Sequence, residues 1–433
     1  MTRVVKSRSI LALLLLVTVL AVTSSTKDTQ QANSTQAGTQ AAPAPLMPSG
    51  AGQGSITGSA GDAANQAYQT GKSPVTVLPN GGEVRSDVKH DVSPPLRSIP
   101  AQPPGTAKRS REIENSLAPG TGRALGRDLA LQTLYGHLAI PTPIANFEGQ
   151  YNYAGVIPPD TNGDVGPTYY VQTVNTTVQV FNKTTGASVF GPVDIKTLFT
   201  GFGGTCEARN DGDPIVLYDQ FADRWQISQF TAPPGPYYQC IALSTSGDPT
   251  GSYYRYAFQT SMTNFEDYPH LGVWPDAYYM ATNEFANGTA NVGAGFFAFE
   301  RSKMLVGQAA RQIMFTRPVP EGGYLPSDAD GFNPPAAGTP NFFMAPNRQL
   351  GNAVRQYRFQ IVAWDPAPVA NLLGPIDIPV TAFAAPSTAP QPNTAVRLDN
   401  LADRFMHRLA YRNFGDHESL VVNHTVDAGS GRG

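Results

Sequence analysis

The sequence predicts an all-β protein whose main domain is a β-propeller-like repeat, and three observations carry that prediction. Gly (42) and Pro (38) are abundant, Tyr (18) and Phe (21) are plentiful, and charged residues are few, a balance that suits a turn-rich β protein. After residue 143, short β-branched and aromatic runs alternate with Gly/Pro/Asn/Asp turns, and no long 3.6-period segment interrupts them. The runs also recur as units. Acidic or Pro-containing turns followed by aromatic strands begin near Asp160, Asp213, Tyr268, Asp328 and Asp399, at spacings of 53, 55, 60 and 71 residues. A period in this range with several short strands per unit is the signature of propeller blades. A β-sandwich pair is the alternative, because the repeat is weak and drifts.

The 433 residues divide into three parts. Residues 1–24 read as a signal peptide: Arg3, Lys6 and Arg8 precede an apolar run over 10–22, shorter than the roughly 20 residues of a membrane span, and small residues follow. Residues 25–143 are rich in Ala, Gly, Ser, Thr, Gln and Pro, and read as a disordered linker because they hold too little apolar surface to offset ordering entropy. Within it, Leu125, Leu129, Leu131 and Leu134 would line one side of a short helix over 124–137. Residues 144–433 form the propeller-like domain. Candidate strands are 169–174, 177–182, 215–218, 225–230, 237–243, 253–258, 278–283, 295–299, 341–344, 355–364 and 420–424. Five units are fewer than the six to eight or so blades with which propellers often close, so the domain is expected to be truncated at its C-terminal side.

Net charge is −3, without a basic stripe, which excludes an electrostatic footprint for nucleic acid. The two cysteines, Cys206 and Cys240, are most simply one disulfide if the chain is exported; two buried thiols are the alternative. These signals place the protein outside the cell or on its surface, with a polysaccharide or a surface protein as the expected partner.

Chemistry is most visible in Asp160-Thr161-Asn162-Gly163-Asp164. Alternating Asp, Asn and Asp with an intervening glycine can wrap one hard cation, which makes Asp160, Asn162 and Asp164 candidate calcium ligands. The alternative is an Asx-turn whose side chains satisfy backbone N–H groups. Position twelve of the loop is Val171 rather than a bidentate Glu, so it is not an EF-hand. Equivalent loops of a propeller gather on one face, so Asp164, Asp213, Asp267 and Asp328 would surround a common mouth able to hold a cation or a sugar. A glycoside hydrolase or lyase using two of these four carboxylates is the alternative to a binding or structural module. Trp274, Tyr278 and Tyr279 would then stack on sugar rings or, in the plainer reading, fill a blade core. No Gly-x-Ser-x-Gly elbow and no phosphate-cradling glycine loop occurs. His407, His417 and His424 lack zinc-motif spacing, and His417 would bond Asp416 or Glu418 as a structural turn.

Four blocks carry a resemblance: residues 158–166 (PPDTNGDVG), 210–219 (NDGDPIVLYD), 271–279 (LGVWPDAYY) and 411–424 (YRNFGDHESLVVNH). Over roughly 147–424 the chain resembles an uncharacterised family of secreted bacterial β-propeller-like proteins. That resemblance implies secretion, a propeller-like fold and further β repeats beyond this point, and no reaction. Locally, 160–164 also resembles the calcium loops of FG-GAP propeller repeats, with Val165 where those usually have Gly and Thr168 in place of a further acidic ligand.

Overall fold

The computed structural model describes residues 73–105, 142–385, 388–391 and 393–427. The expected signal peptide, the helix over 124–137 and the remaining linker lie outside them. Three short strands come first, β1 (Thr76–Val77), β2 (Glu83–Ser86) and β3 (Lys89–Val92). Four antiparallel meanders of four strands follow. They are β4 (Thr161–Val165), β5 (Tyr169–Val174), β6 (Thr177–Asn182) and β7 (Ser188–Asp194); β8 (Ile215–Asp219), β9 (Arg224–Phe230), β10 (Tyr237–Ser244) and β11 (Tyr253–Ser261); β12 (Asn264–Val273), β13 (Tyr278–Ala286), β14 (Ala290–Phe299) and β15 (Arg311–Pro318); and β16 (Leu325–Asp330), β17 (Asn341–Pro346), β18 (Ala353–Ala363) and β19 (Val369–Pro379). A two-residue ladder of β20 (Ala389–Pro390) and β21 (Arg397–Leu398) precedes a final hairpin, β22 (Met406–Asn413) and β23 (Glu418–Asn423).

The first strand of each meander lies innermost: β4 packs beside β8, β8 beside β12, and β12 beside β16. The arc then continues to β22, which pairs in parallel with β16 (Ser327 opposite Leu409, Asp330 opposite Arg412). Sheets radiating from an arc of inner strands make the fold propeller-like, although among the described residues no sheet closes on itself.

Both faces of each middle blade are buried, which explains the dense apolar runs in the sequence. Along β14, Phe296 and Ala298 face the fourth sheet while Phe297 and Phe299 face the second. Between the first two sheets, Val171, Val178 and Val180 meet Trp225, Ile227 and Tyr238. A fully buried aromatic of this kind contributes about 3–5 kcal/mol against truncation to alanine. The disulfide is formed: Cys206, on the short helix α1 (Gly204–Ala208), bonds Cys240 of β10 at a Cα separation of 5.7 Å. By loop length it adds about 2–4 kcal/mol.

One expectation is corrected. Residues 73–105 belong to the fold rather than to a disordered linker: β2 adds to the edge of the third sheet beside β15, and β3 to the edge of the second beside β11. Their sequences are polar because an added edge strand is held chiefly by main-chain hydrogen bonds. Only a few apolar anchors, Val84, Val88, Leu96 and Ile99, are buried.

Candidate functional site

Three of the inner strands share one backbone device. Asp160 immediately before β4, Asp213 just before β8, and Tyr268 within β12 all take left-handed φ angles, of 38°, 44° and 55°. Each non-glycine residue in that region costs on the order of 1–2 kcal/mol, and such strain concentrates at functional sites. The residue two places on (Asn162, Ile215, His270) sits in the following strand. All six line one cavity of about 240 Å³, with Asp267, Asn283, Arg404 and His407 completing its wall.

Within this mouth Asp160 accepts a 2.8 Å hydrogen bond from Asn175 Nδ2. Its carboxyl is also hydrogen-bonded to that of Asp213, which places a proton between the two. Burial pushes Asp160 up to about 6 and the negative charge of Asp267 adds to this, while the bonds from Asp213 and Asn175 pull the other way. His270 is 9% exposed, and neither of its ring nitrogens has a hydrogen-bond partner. Burial first, then the positive fields of His407 and Arg404, holds its pKa well below the usual imidazole value, so it is neutral. His407, exposed at the rim, stacks on it with planes 20° apart, and Tyr268 meets its ring edge-on at 4.2 Å between centroids. Arg404 lies 4.5 Å from the Tyr268 ring centroid and forks onto Asp403 at 2.8 and 3.0 Å.

The acidic residues expected at one mouth separate into two groups. Asp213 and Asp267 line the cavity, joined by Asp160; Asp164 and Asp328 lie further along their strands and hold neighbouring backbone. Asn162 Oδ1 accepts from Val216 N at 2.7 Å and Asp164 Oδ2 from Tyr218 N at 2.8 Å, so β4 is attached to β8 by side chains. Asp328 Oδ1 likewise accepts from Val273 N of β12 at 2.8 Å, and its Oδ2 lies 3.1 Å from Arg408 Nε. Burial foremost raises Asp328 to about 7 against the opposing pull of Arg408 and the Val273 amide.

These bonds bear on calcium. Residues 161–165 are strand β4 rather than a loop, and Asn162 and Asp164 reach amides two residues apart on β8, while Asp160 turns to Asn175 and Asp213. Two residues along a strand span about 6.6 Å, so the three side chains do not converge on a point, and the donor set does not fit a cation loop. Among the described residues no group of three or more His, Cys, Asp or Glu is placed to hold a metal. Trp274, Tyr278 and Tyr279 are fully buried blade core, so the sugar-stacking alternative does not apply to them. His417 bonds Asp416 at 2.8 Å on the surface.

A second cavity, of about 660 Å³, lies at the other ends of the inner strands, between Pro167, Tyr218, Phe221, Pro275 and Phe332. Its one guanidinium among the described lining residues, Arg301, is engaged by Asp219 at 2.7 and 3.0 Å and donates to Pro275 O. Sequence reasoning missed His270, Tyr268, Arg404 and His407. Aligning the corners Asp160-Thr161-Asn162, Asp213-Pro214-Ile215 and Tyr268-Pro269-His270 would have found the first two.

No protein-family description matches the chain, and no curated protein matches it. Among solved structures it is similar to the arabinanase Arb43A of Bacillus subtilis, at 12% identity and a TM-score of 0.28 over 50% of this chain and 80% of that one. It is also similar to a GH43 endo-arabinanase from Bacillus licheniformis, at 11% identity and a TM-score of 0.18 over 50% and 93% of the two chains. Likeness at this level carries no argument about activity. No helix among the described residues is long and apolar enough to cross a membrane.

Proposed function

We propose that the protein is an exported propeller-like binding module that takes a small polyhydroxylated ligand, such as the end of a polysaccharide, in the mouth formed by Asp160, Asp213, Asp267 and His270. The observation that carries this reading is His270. A buried imidazole with both nitrogens unpartnered costs free energy unless something meets it, and this one faces a cavity beside three carboxyl groups. A neutral imidazole offers one donor and one acceptor, and carboxylates accept from hydroxyls, which together match the donor–acceptor pairs of a diol. Export is supported by the N-terminal apolar run and by the Cys206–Cys240 disulfide.

Hydrolysis is less well supported. Paired glycosidase acids stand about 5 Å or more apart, whereas Asp160 and Asp213 are in hydrogen-bond contact. Calcium does not enter this reading, because the side chains expected to hold it are bonded elsewhere. The test is a glycan-binding screen on the purified chain with His270→Ala beside it. Binding that falls tenfold or more in the variant, with an unchanged melting curve and no release of reducing sugar by the parent, is the expected outcome. Turnover abolished by Asp160→Asn would replace the binding reading with the hydrolase.

A further inference from the structure

Resting on that reading, we propose that the mouth removes an acyl group from its sugar ligand: Asp160 and Asp213 share one proton and add water to the acyl carbonyl, while His270 donates to the carbonyl oxygen. The two aspartates hold the same left-handed corner ahead of β4 and β8, at φ 38° and 44°, and their carboxyl groups are hydrogen-bonded to each other at the cavity. A bond between two carboxyl groups needs a proton, so the pair presents an acid and a base side by side. Asn175 Nδ2 fixes the Asp160 end at 2.8 Å. Groups this close do not suit a glycosidic bond, whose two acids stand about 5 Å or more apart. They suit a carbonyl, where the base takes a proton from water and the acid gives one to the oxygen on the next atom. Pro158, Pro214 and Pro269 give the alkyl end of the acyl group an apolar wall.

His270 supplies the independent part of the case. It is 9% exposed, lines the same cavity and has no hydrogen-bond partner at either nitrogen. A neutral imidazole always keeps one N–H, which polarises a carbonyl as charge develops on its oxygen. Tyr268 and His407 pack against the ring and fix its plane.

The step needs no co-reactant but water. The ionised carboxylate takes a proton from water as the water oxygen bonds to the acyl carbon, and the protonated carboxyl gives its proton to the carbonyl oxygen. The tetrahedral carbon then expels the sugar oxygen or nitrogen, which takes up the proton that came from water. Re-forming the C=O returns the other proton to the pair. Burial foremost, with the charge of Asp267 adding to it, pushes Asp160 up to about 6 against the bonds from Asp213 and Asn175, so the pair keeps its proton below that pH. Tyr268, His270, Arg404 and His407 complete the surroundings, and Arg404 acts on Asp267 as well as on Asp403.

The experiment measures acetate release by the full chain from O-acetylated cellobiose and from the β-1,4-linked disaccharide of N-acetylglucosamine, beside calorimetric titration with cellobiose itself. The expected result is release from at least one acylated probe, at a rate that falls as pH rises through about 6. Asp160→Asn and Asp213→Asn should each lower kcat by about a hundredfold or more, with cellobiose binding retained. Release from the O-acetyl probe alone identifies an ester as the substrate, and release from the N-acetyl probe alone an amide. Cellobiose binding without acetate from either probe overturns the deacylation and leaves the polyol site standing. Neither binding nor release overturns both. Release that is unchanged in both Asn variants places the chemistry elsewhere and overturns the proposal. Where an Asn variant melts early the parent's pH profile decides, and a rate that does not fall through about 6 overturns the proton-sharing pair.

Discussion

Replacing Asp164 separates two accounts of the acidic run that opens the first blade. In the structure its Oδ1 accepts from Val165 N at 2.7 Å and its Oδ2 from Tyr218 N of the next blade at 2.8 Å. A hydrogen bond to a charged acceptor is worth about 1.5–3 kcal/mol net, and part of that is offset here because burial raises the Asp164 pKa, making the ionised form costly to hold. Asp164→Ala should therefore destabilise the domain by about 2 kcal/mol. Asp164→Asn keeps an oxygen for the Tyr218 amide and sheds the cost of the buried charge, so its loss should stay under about 1 kcal/mol. For a domain of this size about 2 °C corresponds to each kcal/mol, giving a melting shift of roughly 4 °C for Ala and under 2 °C for Asn. Were Asp164 instead a calcium ligand, a cation at 100 times its Kd would add about 2.7 kcal/mol, and Asn would lose most of it by removing a ligand charge. Thermal melts of the parent and both variants in 1 mM calcium and in EDTA decide between them. A parent that melts several degrees lower in EDTA, with the difference gone in Asp164→Asn, would refute the strand-stitching account.

Two further outcomes follow from buried charge. Asp219, fully buried, accepts from Arg301 Nε and Nη2 and from the Tyr278 hydroxyl at 2.7 Å; Asp219→Ala strands the Arg301 charge and should cost about 3–5 kcal/mol in urea unfolding, with a loss below 1 kcal/mol counting against the network. Glu266 and Glu284 face each other directly across β12 and β13, both buried, and burial holds Glu284 up to about 7. A carboxyl raised on folding keeps its proton longer in the native state, so stability is lost progressively as pH rises from the ordinary glutamate range of about 4.5 to about 7, and the loss is complete above that. Glu284→Gln should accordingly melt higher than the parent at pH 8 and lose most of that advantage at pH 5; an advantage that is the same at both pH values would falsify the assignment.

What the sequence reveals depends on which atoms hold each element. Strands β5, β6, β9, β10 and β13 are legible because both faces of a middle blade are buried, so Val, Ile, Tyr and Phe crowd together as in Tyr237–Ser244. Strands β4 and β16 read as turns because their Asp and Asn side chains serve as acceptors for adjacent strands, a use that looks like turn chemistry in one dimension. Strands β2 and β3 are hidden for a different reason: Glu83–Ser86 and Lys89–Val92 are edge additions with few apolar anchors. At the mouth, Asp213 and Asp267 stand out as acids at repeat starts. His270, Arg404 and His407 do not, because residues separated by more than 130 positions meet only once the inner strands are in register.

The inner strands thus use one residue type for two purposes, divided by position. At the left-handed corner, Asp160 and Asp213 turn toward the cavity; two and four residues on, Asn162 and Asp164 turn toward the neighbouring blade. The spacing follows from strand geometry. Acceptors on alternate residues of β4 meet amides on alternate residues of β8, Val216 and Tyr218, so the side chains substitute for a ladder that the splayed blades do not make. Where two inner strands come closer, glycine replaces the side chain: a Cβ on Gly272 would stand 2.5 Å from Ser327 O of β16, and there Asp328 reaches back to the Val273 amide. The acceptors along the strands hold the blades, while the acids at the corners line the cavity, where Asp160 bonds Asn175 and Asp213. In the binding reading proposed above, that division lets a ligand enter the mouth without loosening the arc that positions its carboxyl groups.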